Sequence, residues 1–198
     1  MKRLKLIIFS TILLTTGIVS AQNMIPYFHL TADAGWVLNS SRNNKPGLGG
    51  TFSLFIADNF LNHSDRNYFT LGIRGLNNPY DDGQYFKSMN NSTDDAFSYY
   101  MILGGYRLSR RITEGGWYFE PRAGYARYNF KSYNNTFVFS PVYGYDYKNF
   151  DFSAFFDFAF AQKNTATGYK GFFTPGISIG YNFGLMRRKF CNCHNKPY

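Results

Sequence analysis

Apolar and polar residues alternate along this chain with a period of two, in one segment after another. The longest run is Tyr169 to Phe183, where Tyr169, Gly171, Phe173, Pro175, Ile177, Ile179, Tyr181 and Phe183 interleave with Lys170, Phe172, Thr174, Gly176, Ser178, Gly180 and Asn182. One face is mostly apolar and the other small or polar. The pattern predicts a long β-strand lying between two different environments, and fifteen residues exceeds the usual strand of a soluble domain. Seven earlier segments alternate similarly: Tyr27 to Val37, Gly47 to Ile56, Tyr68 to Asn77, Ala96 to Leu108, Gly116 to Phe130, Phe137 to Tyr147 and Phe150 to Phe160. No apolar run after Ala21 approaches a spanning helix, and the other structure that crosses a bilayer is a closed barrel. The expectation is an all-β fold, an eight-stranded antiparallel up-and-down transmembrane β-barrel over residues 22 to 184.

The connections fit that count. With both termini in the periplasm, residues 38 to 46, 78 to 95, 131 to 136 and 161 to 168 form the outer loops, rich in Asn, Ser, Thr, Asp and Lys. The inner turns are 57 to 67, 109 to 115 and the pair Lys148-Asn149. Residues flanking a two-residue hairpin turn pair directly and share a face, as Tyr147 and Phe150 do in the apolar sets of their strands. Outward residues include Phe28, Leu30, Trp36, Phe52, Leu71, Ile73, Trp117, Phe119, Phe152 and Phe158. Inward ones include His29, Thr31, Asp33, Thr51, Arg74, Glu120, Arg122, Asp146, Asp151, Asp157 and Lys170. A soluble lipid carrier has the reverse polarity, so charge inside and aromatics outside point to a membrane barrel. In the fourth segment both faces are apolar, and the pattern leaves its register open.

Composition narrows the class. Phe (22), Tyr (17) and Gly (19) are abundant while charged residues make up 17%, which suits strands with an aromatic outer face and a small-residue inner one. The net charge of +9 lies at the ends. Lys2, Arg3 and Lys5 precede an apolar run from Leu6 to Val19 and the small-residue sequence Val19-Ser20-Ala21, the layout of a secretory signal peptide cleaved after Ala21. Arg187, Arg188, Lys189 and Lys196 fall in a basic periplasmic tail, residues 185 to 198. Between the two, fourteen basic side chains face twelve acidic ones, and no strand carries the basic stripe of a nucleic-acid binder.

The segment Trp117-Tyr118-Phe119-Glu120-Pro121-Arg122-Ala123-Gly124-Tyr125, the strand end Gly104-Gly105-Tyr106 and the closing Gly176-Ile177-Ser178-Ile179-Gly180-Tyr181-Asn182-Phe183, with the leader, resemble the eight-stranded outer-membrane β-barrel families. These are the OmpA transmembrane domain and OmpX-like proteins, in the versions common in Bacteroidota. The resemblance implies a Gram-negative outer-membrane location, contact with outer-membrane lipid and lipopolysaccharide, and delivery by the barrel-assembly machinery. It also implies that Tyr181 and Phe183 form the assembly signal of the last strand. Two features depart from the pattern: Ser178 stands where a Gly is usual, and fifteen residues follow Phe183.

Candidate chemistry is sparse. An eight-stranded barrel is just wide enough for side chains to fill, and an unpaired charge there costs several kcal/mol, roughly. Asp33, Arg74, Glu120, Arg122, Asp157 and Lys170 are therefore expected to form a lumen salt-bridge network, with an ion pathway or catalytic lumen as the alternative. Lipid-modifying barrels need a His beside a Ser or Asp. Of three His, His29 shares a face with Thr31 and Asp33, His63 adjoins Ser64 in a turn, and His194 lies in the tail; none matches the His-x-Ser pattern of the deacylase barrels. Asp81, Asp82, Asp94 and Asp95 lack the order of a Ca²⁺ loop. Cys191, Cys193 and His194 are a weak metal candidate without a second half-site, and no cofactor is implied. The expected function is a non-enzymatic integral outer-membrane protein with a structural or interaction role, alone or as a subunit with an envelope protein partner. A lipid-modifying enzyme and a narrow channel are the alternatives.

Overall fold

The computed structural model describes residues 27–38, 43–57, 67–86, 96–109, 115–128, 134–160 and 171–184. Every regular element among them is a strand: β1 (Tyr27–Gly35), β2 (Gly47–Ala57), β3 (Asn67–Pro79), β4 (Ala96–Ser109), β5 (Gly116–Glu120), β6 (Arg122–Tyr128), β7 (Asn134–Phe139), β8 (Val142–Tyr147), β9 (Phe150–Ala159) and β10 (Phe172–Gly184). These ten segments make eight staves. Proline has no N–H to give to a ladder, and Pro121 divides the fifth stave into β5 and β6 while Ser140-Pro141 divides the sixth into β7 and β8. Neither break shifts the register. Leu108 pairs with Phe119 before Pro121 and Gly105 with Arg122 after it, and the Tyr106 N–H donates to the Pro121 carbonyl at 3.2 Å. At the second break Ser140 N–H reaches the Arg122 carbonyl at 2.8 Å and Phe156 N–H the Pro141 carbonyl at 3.1 Å. The expected strands Gly116 to Phe130 and Phe137 to Tyr147 thus become two segments each, the second beginning earlier, at Asn134.

All neighbouring staves are antiparallel, and β10 closes the wall by pairing with both β9 and β1. Partners can be followed round the barrel from Asn182 through His29, Ser53, Gly72, Leu103, Gly124, Val138 and Ala159. The path returns to β10 at Phe172, ten residues from its start. A stagger of that size over eight staves tilts the strands by ~40°, given the rise per residue and the strand spacing. Both chain ends of the barrel, Tyr27 and Gly184, meet at one rim. The Lys148-Asn149 turn lies at that rim, and Tyr147 pairs with Phe150 across it.

The alternation sorts side chains into two surroundings. Outside, Ile177 is 63% exposed and Trp117 62%, in a belt with Leu30, Phe52, Leu71, Ile73, Ile102, Phe152 and Ile179. Inside, Arg107 and Glu120 are fully buried. Small residues make the interior fit: a Cβ on Gly176 would sit 2.1 Å from the Phe155 ring. The fourth stave, open from its pattern, turns Phe97, Tyr99, Met101, Leu103 and Arg107 inward and Ile102 and Leu108 outward. β1 ends at Gly35 rather than Val37, although Trp36 and Leu38 still donate to Pro175 and Phe173 carbonyls. β10 begins at Phe172; Tyr169 and Lys170, like the leader and the tail, lie outside the described residues.

Candidate functional site

Among the described residues the lumen is filled in three layers, one of aromatic rings and two of charged and polar groups. Toward the loop-side rim the tips of β4, β6 and β10 bring four rings together. Phe172 packs on Tyr99, Phe97 and Tyr128 at centroid separations of 4.7, 5.4 and 5.6 Å, and Phe97 stacks on Tyr128 at 5.8 Å. With Val37, Met101 and Val138 they belong to one buried apolar cluster. Rings at these distances bind each other beyond simple burial.

Below them Arg74, from the middle of β3, spans the barrel. Its Nη1 donates to Asp157 Oδ1 at 2.9 Å and to Ser140 Oγ at 3.3 Å, and its Nε to Thr51 Oγ1 at 2.8 Å. Nε also lies 3.3 Å from Asp33 Oδ2. Hydroxyls complete both carboxylates. Thr31 donates to Asp33 at 2.6 Å, Thr51 donates to the other Asp33 oxygen, and Ser140 and Tyr99 donate to Asp157 at 2.5 and 2.9 Å. The guanidinium carbon rests 4.0 Å from the Phe155 ring centroid, so its weakly hydrated face meets an aromatic surface.

The third layer lies toward the rim of the chain ends and is centred on Arg107. Nε donates to Glu120 Oε2 at 2.8 Å, while Nη1 is 3.4 Å from Asp151 and 3.5 Å from Asp146. Arg122 donates to the other Glu120 oxygen at 2.6 Å. Asp146 and Asp151 face each other directly across the hairpin, and Asn182 donates to Asp146 at 3.2 Å. Arg107 lies between the Tyr118 and Phe55 rings, 3.7 and 4.4 Å from their centroids. His29 Nε2 stands 3.8 Å from Asp151 Oδ1, and neither ring nitrogen makes a hydrogen bond among the described residues.

Of the residues singled out in the sequence, Asp33, Arg74 and Asp157 meet in one layer and Glu120 and Arg122 in another. Lys170 lies outside the described residues. So do His63, His194, Cys191, Cys193, Asp94 and Asp95, while Asp81 and Asp82 are exposed at the loop-side rim. The hub absent from the expected network is Arg107, on the stave whose register the pattern leaves open, with Asp146 and Asp151 as its further partners. The expected polar row His29, Thr31, Asp33 divides: Thr31 bonds Asp33, and His29 belongs to the other layer. Among the described residues no three His, Cys, Asp or Glu side chains are placed to hold a metal ion. Tyr181 and Phe183 are exposed on the outer face of β10, their rings 4.8 Å apart.

An apolar belt around the whole wall far exceeds the patches that soluble monomers expose. Combined with a charged, closed interior, it requires lipid outside, so the barrel spans a membrane. A solved structure agrees on the architecture. The chain is similar to the crystal structure of Neisserial surface protein A (NspA), with a TM-score of 0.52 at 12% identity, covering 82% of this chain and 97% of that one. The fold is that of an eight-stranded outer-membrane barrel. The N-terminal β-barrel domain of Pseudomonas aeruginosa OprF aligns with a TM-score of 0.47 at 15% identity, over 81% of this chain and all (100%) of that one. No family model and no curated protein matches the sequence. The likeness to NspA is one of fold alone.

Proposed function

We propose that this chain is a non-catalytic protein of the Gram-negative outer membrane, a sealed barrel that presents polar loops to the outside as a structural or interaction element. The observation that carries the reading is the filled lumen. Two arginine-centred layers and a four-ring plug succeed one another along the axis, so ions meet fixed charge pairs and then an apolar seal. A lipid-directed enzyme requires a nucleophile or base that lipid can reach. His29, the histidine among the described residues, is 1% exposed and faces the lumen. A role as subunit of an envelope complex fits the same architecture, with loops and the outer wall as the available surfaces.

The deciding measurement is conductance of the purified full-length protein in planar bilayers, beside heat-modifiable migration on gels to establish that the barrel is folded. A folded barrel without discrete conductance steps supports the reading; regular steps would establish the narrow channel instead. Native co-purification from outer membranes separates a solitary barrel from a subunit, since a stoichiometric protein partner appears only in the second case. Lipid analysis of a deletion strain that shows a missing acyl modification would establish the enzyme.

A further inference from the structure

The outer wall is not uniformly filled. On the loop-side part of β2 and β3 two paired outward positions, Gly50 and Gly75, carry no side chain, and a crevice of about 480 Å³ opens beside them. Leu48 and Tyr100 flank it, Asn77 and Ser98 close its loop-side end with a 2.6 Å hydrogen bond, and Phe86 borders it from the β3–β4 connection. The size is that of pockets that take a small ligand, roughly 300–1,000 Å³. Phe86 is held there by specific means. Its backbone N–H donates to Asn77 Oδ1 at 3.0 Å, and the preceding Tyr85 hydroxyl donates to the Pro46 carbonyl at 2.8 Å. It also adopts a φ of 60°, a left-handed conformation uncommon for a bulky residue.

We infer that this crevice seats one acyl chain of lipid A, the acylated disaccharide of the outer leaflet. The inference rests on the reading of the wall as lipid-facing and names a site on it. Depth selects the occupant. A strand tilted ~40° climbs ~2.5 Å per residue, so an apolar band ~25 Å tall spans about ten residues. Counted along β3 from the exposed Phe69, that band reaches past Asn77. The crevice therefore occupies the upper edge of the band, directly above the exposed Ile73 and Ile102 and continuous with the lipid-facing belt. Loops lie on the outside in barrels of this kind, which sets the crevice in the outer leaflet. Its walls are apolar, and its polar groups at the loop-side end are already bonded to each other. Such a surface accepts a hydrocarbon chain and leaves the head group at the rim, where Lys45 is tied by its backbone N–H to the Pro79 carbonyl at 2.8 Å.

The test fills the crevice from its floor. A Cβ on Gly75 meets its nearest neighbour, the Tyr99 carbonyl, at 3.9 Å, and one on Gly104, outward on β4 but away from the crevice, meets the Ala123 carbonyl at 4.0 Å. Both positions therefore accept a Cβ in ordinary van der Waals contact without moving backbone. Full-length protein, Gly75→Leu and Gly104→Leu are extracted from outer membranes in mild detergent, and retained lipid is identified by native mass spectrometry. The expected result is lipid A retained by the parent and by Gly104→Leu, with about tenfold less on Gly75→Leu. Phe86→Ala provides a second route to the same loss should Gly75→Leu fail to migrate as a folded barrel. Equal retention by folded Gly75→Leu, or by Phe86→Ala in its place, overturns the inference. Retention of glycerophospholipid alone, or of a second copy of the chain in place of lipid, overturns it as well. Recovery of the protein outside the outer-membrane fraction would instead sink the underlying reading of the wall.

Discussion

The two charged layers of the lumen contain the same elements, arginine, carboxylate and an aromatic face, and solve the burial of charge differently. Around Arg74, two carboxylates are shared among hydroxyls from Thr31, Thr51, Ser140 and Tyr99. Around Arg107, the hydrogen bonds and close ion pairs to three carboxylates come, among the described residues, mainly from two guanidinium groups and the Asn182 amide, and two of the carboxylates, Asp146 and Asp151, stand directly opposite. Hydroxyls donate without adding charge, so the first layer would keep much of its hydrogen bonding if its arginine were lost. The second would not. What separates them is how far one side chain carries the compensation for the others.

The largest expected effect is therefore at Arg107. Arg107→Ala leaves Glu120, Asp146 and Asp151 buried with Arg122, paired to Glu120, as the remaining arginine beside them among the described residues, and is expected to destabilise the barrel by ~3–5 kcal/mol, the usual cost of breaking a buried charge pair. The urea midpoint of protein refolded in vesicles, read by heat-modifiable migration, measures it. Arg74→Ala should cost less, ~2–3 kcal/mol, because four hydroxyls still serve Asp33 and Asp157. A loss at Arg74 equal to or greater than that at Arg107 would break the contrast between the layers. Thr51→Val keeps the shape but removes the hydroxyl that links Arg74 to Asp33, and a loss of ~1 kcal/mol is expected on the same scale. Asp146→Asn should act in the opposite direction. It replaces one of two facing carboxylates with a neutral amide, and a gain of under ~1 kcal/mol is expected; a clear destabilisation would mean that Arg107 uses Asp146 more than its 3.5 Å separation implies.

Much of this interior was legible in the sequence, for a reason specific to barrels in lipid. Burying a charge in hydrocarbon costs far more than burying it in a polar lumen, so Asp33, Arg74, Glu120, Arg122, Asp146, Asp151 and Asp157 each declare the inward face of their stave. Arg107 carries the same signal. It is the charge within Ala96 to Leu108, and assigning it inward settles the register of the otherwise ambiguous fourth stave, whose odd-numbered residues then line the lumen. Pro121 and Pro141 are visible as letters, but that they interrupt hydrogen bonding without shifting the ladder depends on the neighbouring staves, which hold the register on both sides.

The sequence by itself determined the strand count, the polarity of the two faces and the need for lipid outside, because each follows from a period of two read along one segment. Which charges share a layer was decided only by the closed wall. Asp33, Arg74 and Asp157 come from three staves, and it is the ten-residue stagger round the barrel that brings them to one height. The crevice beside Gly75 depends on the same geometry. Small outward residues on adjacent staves make a cavity only where the cross-strand register sets them side by side, and no single strand contains that information.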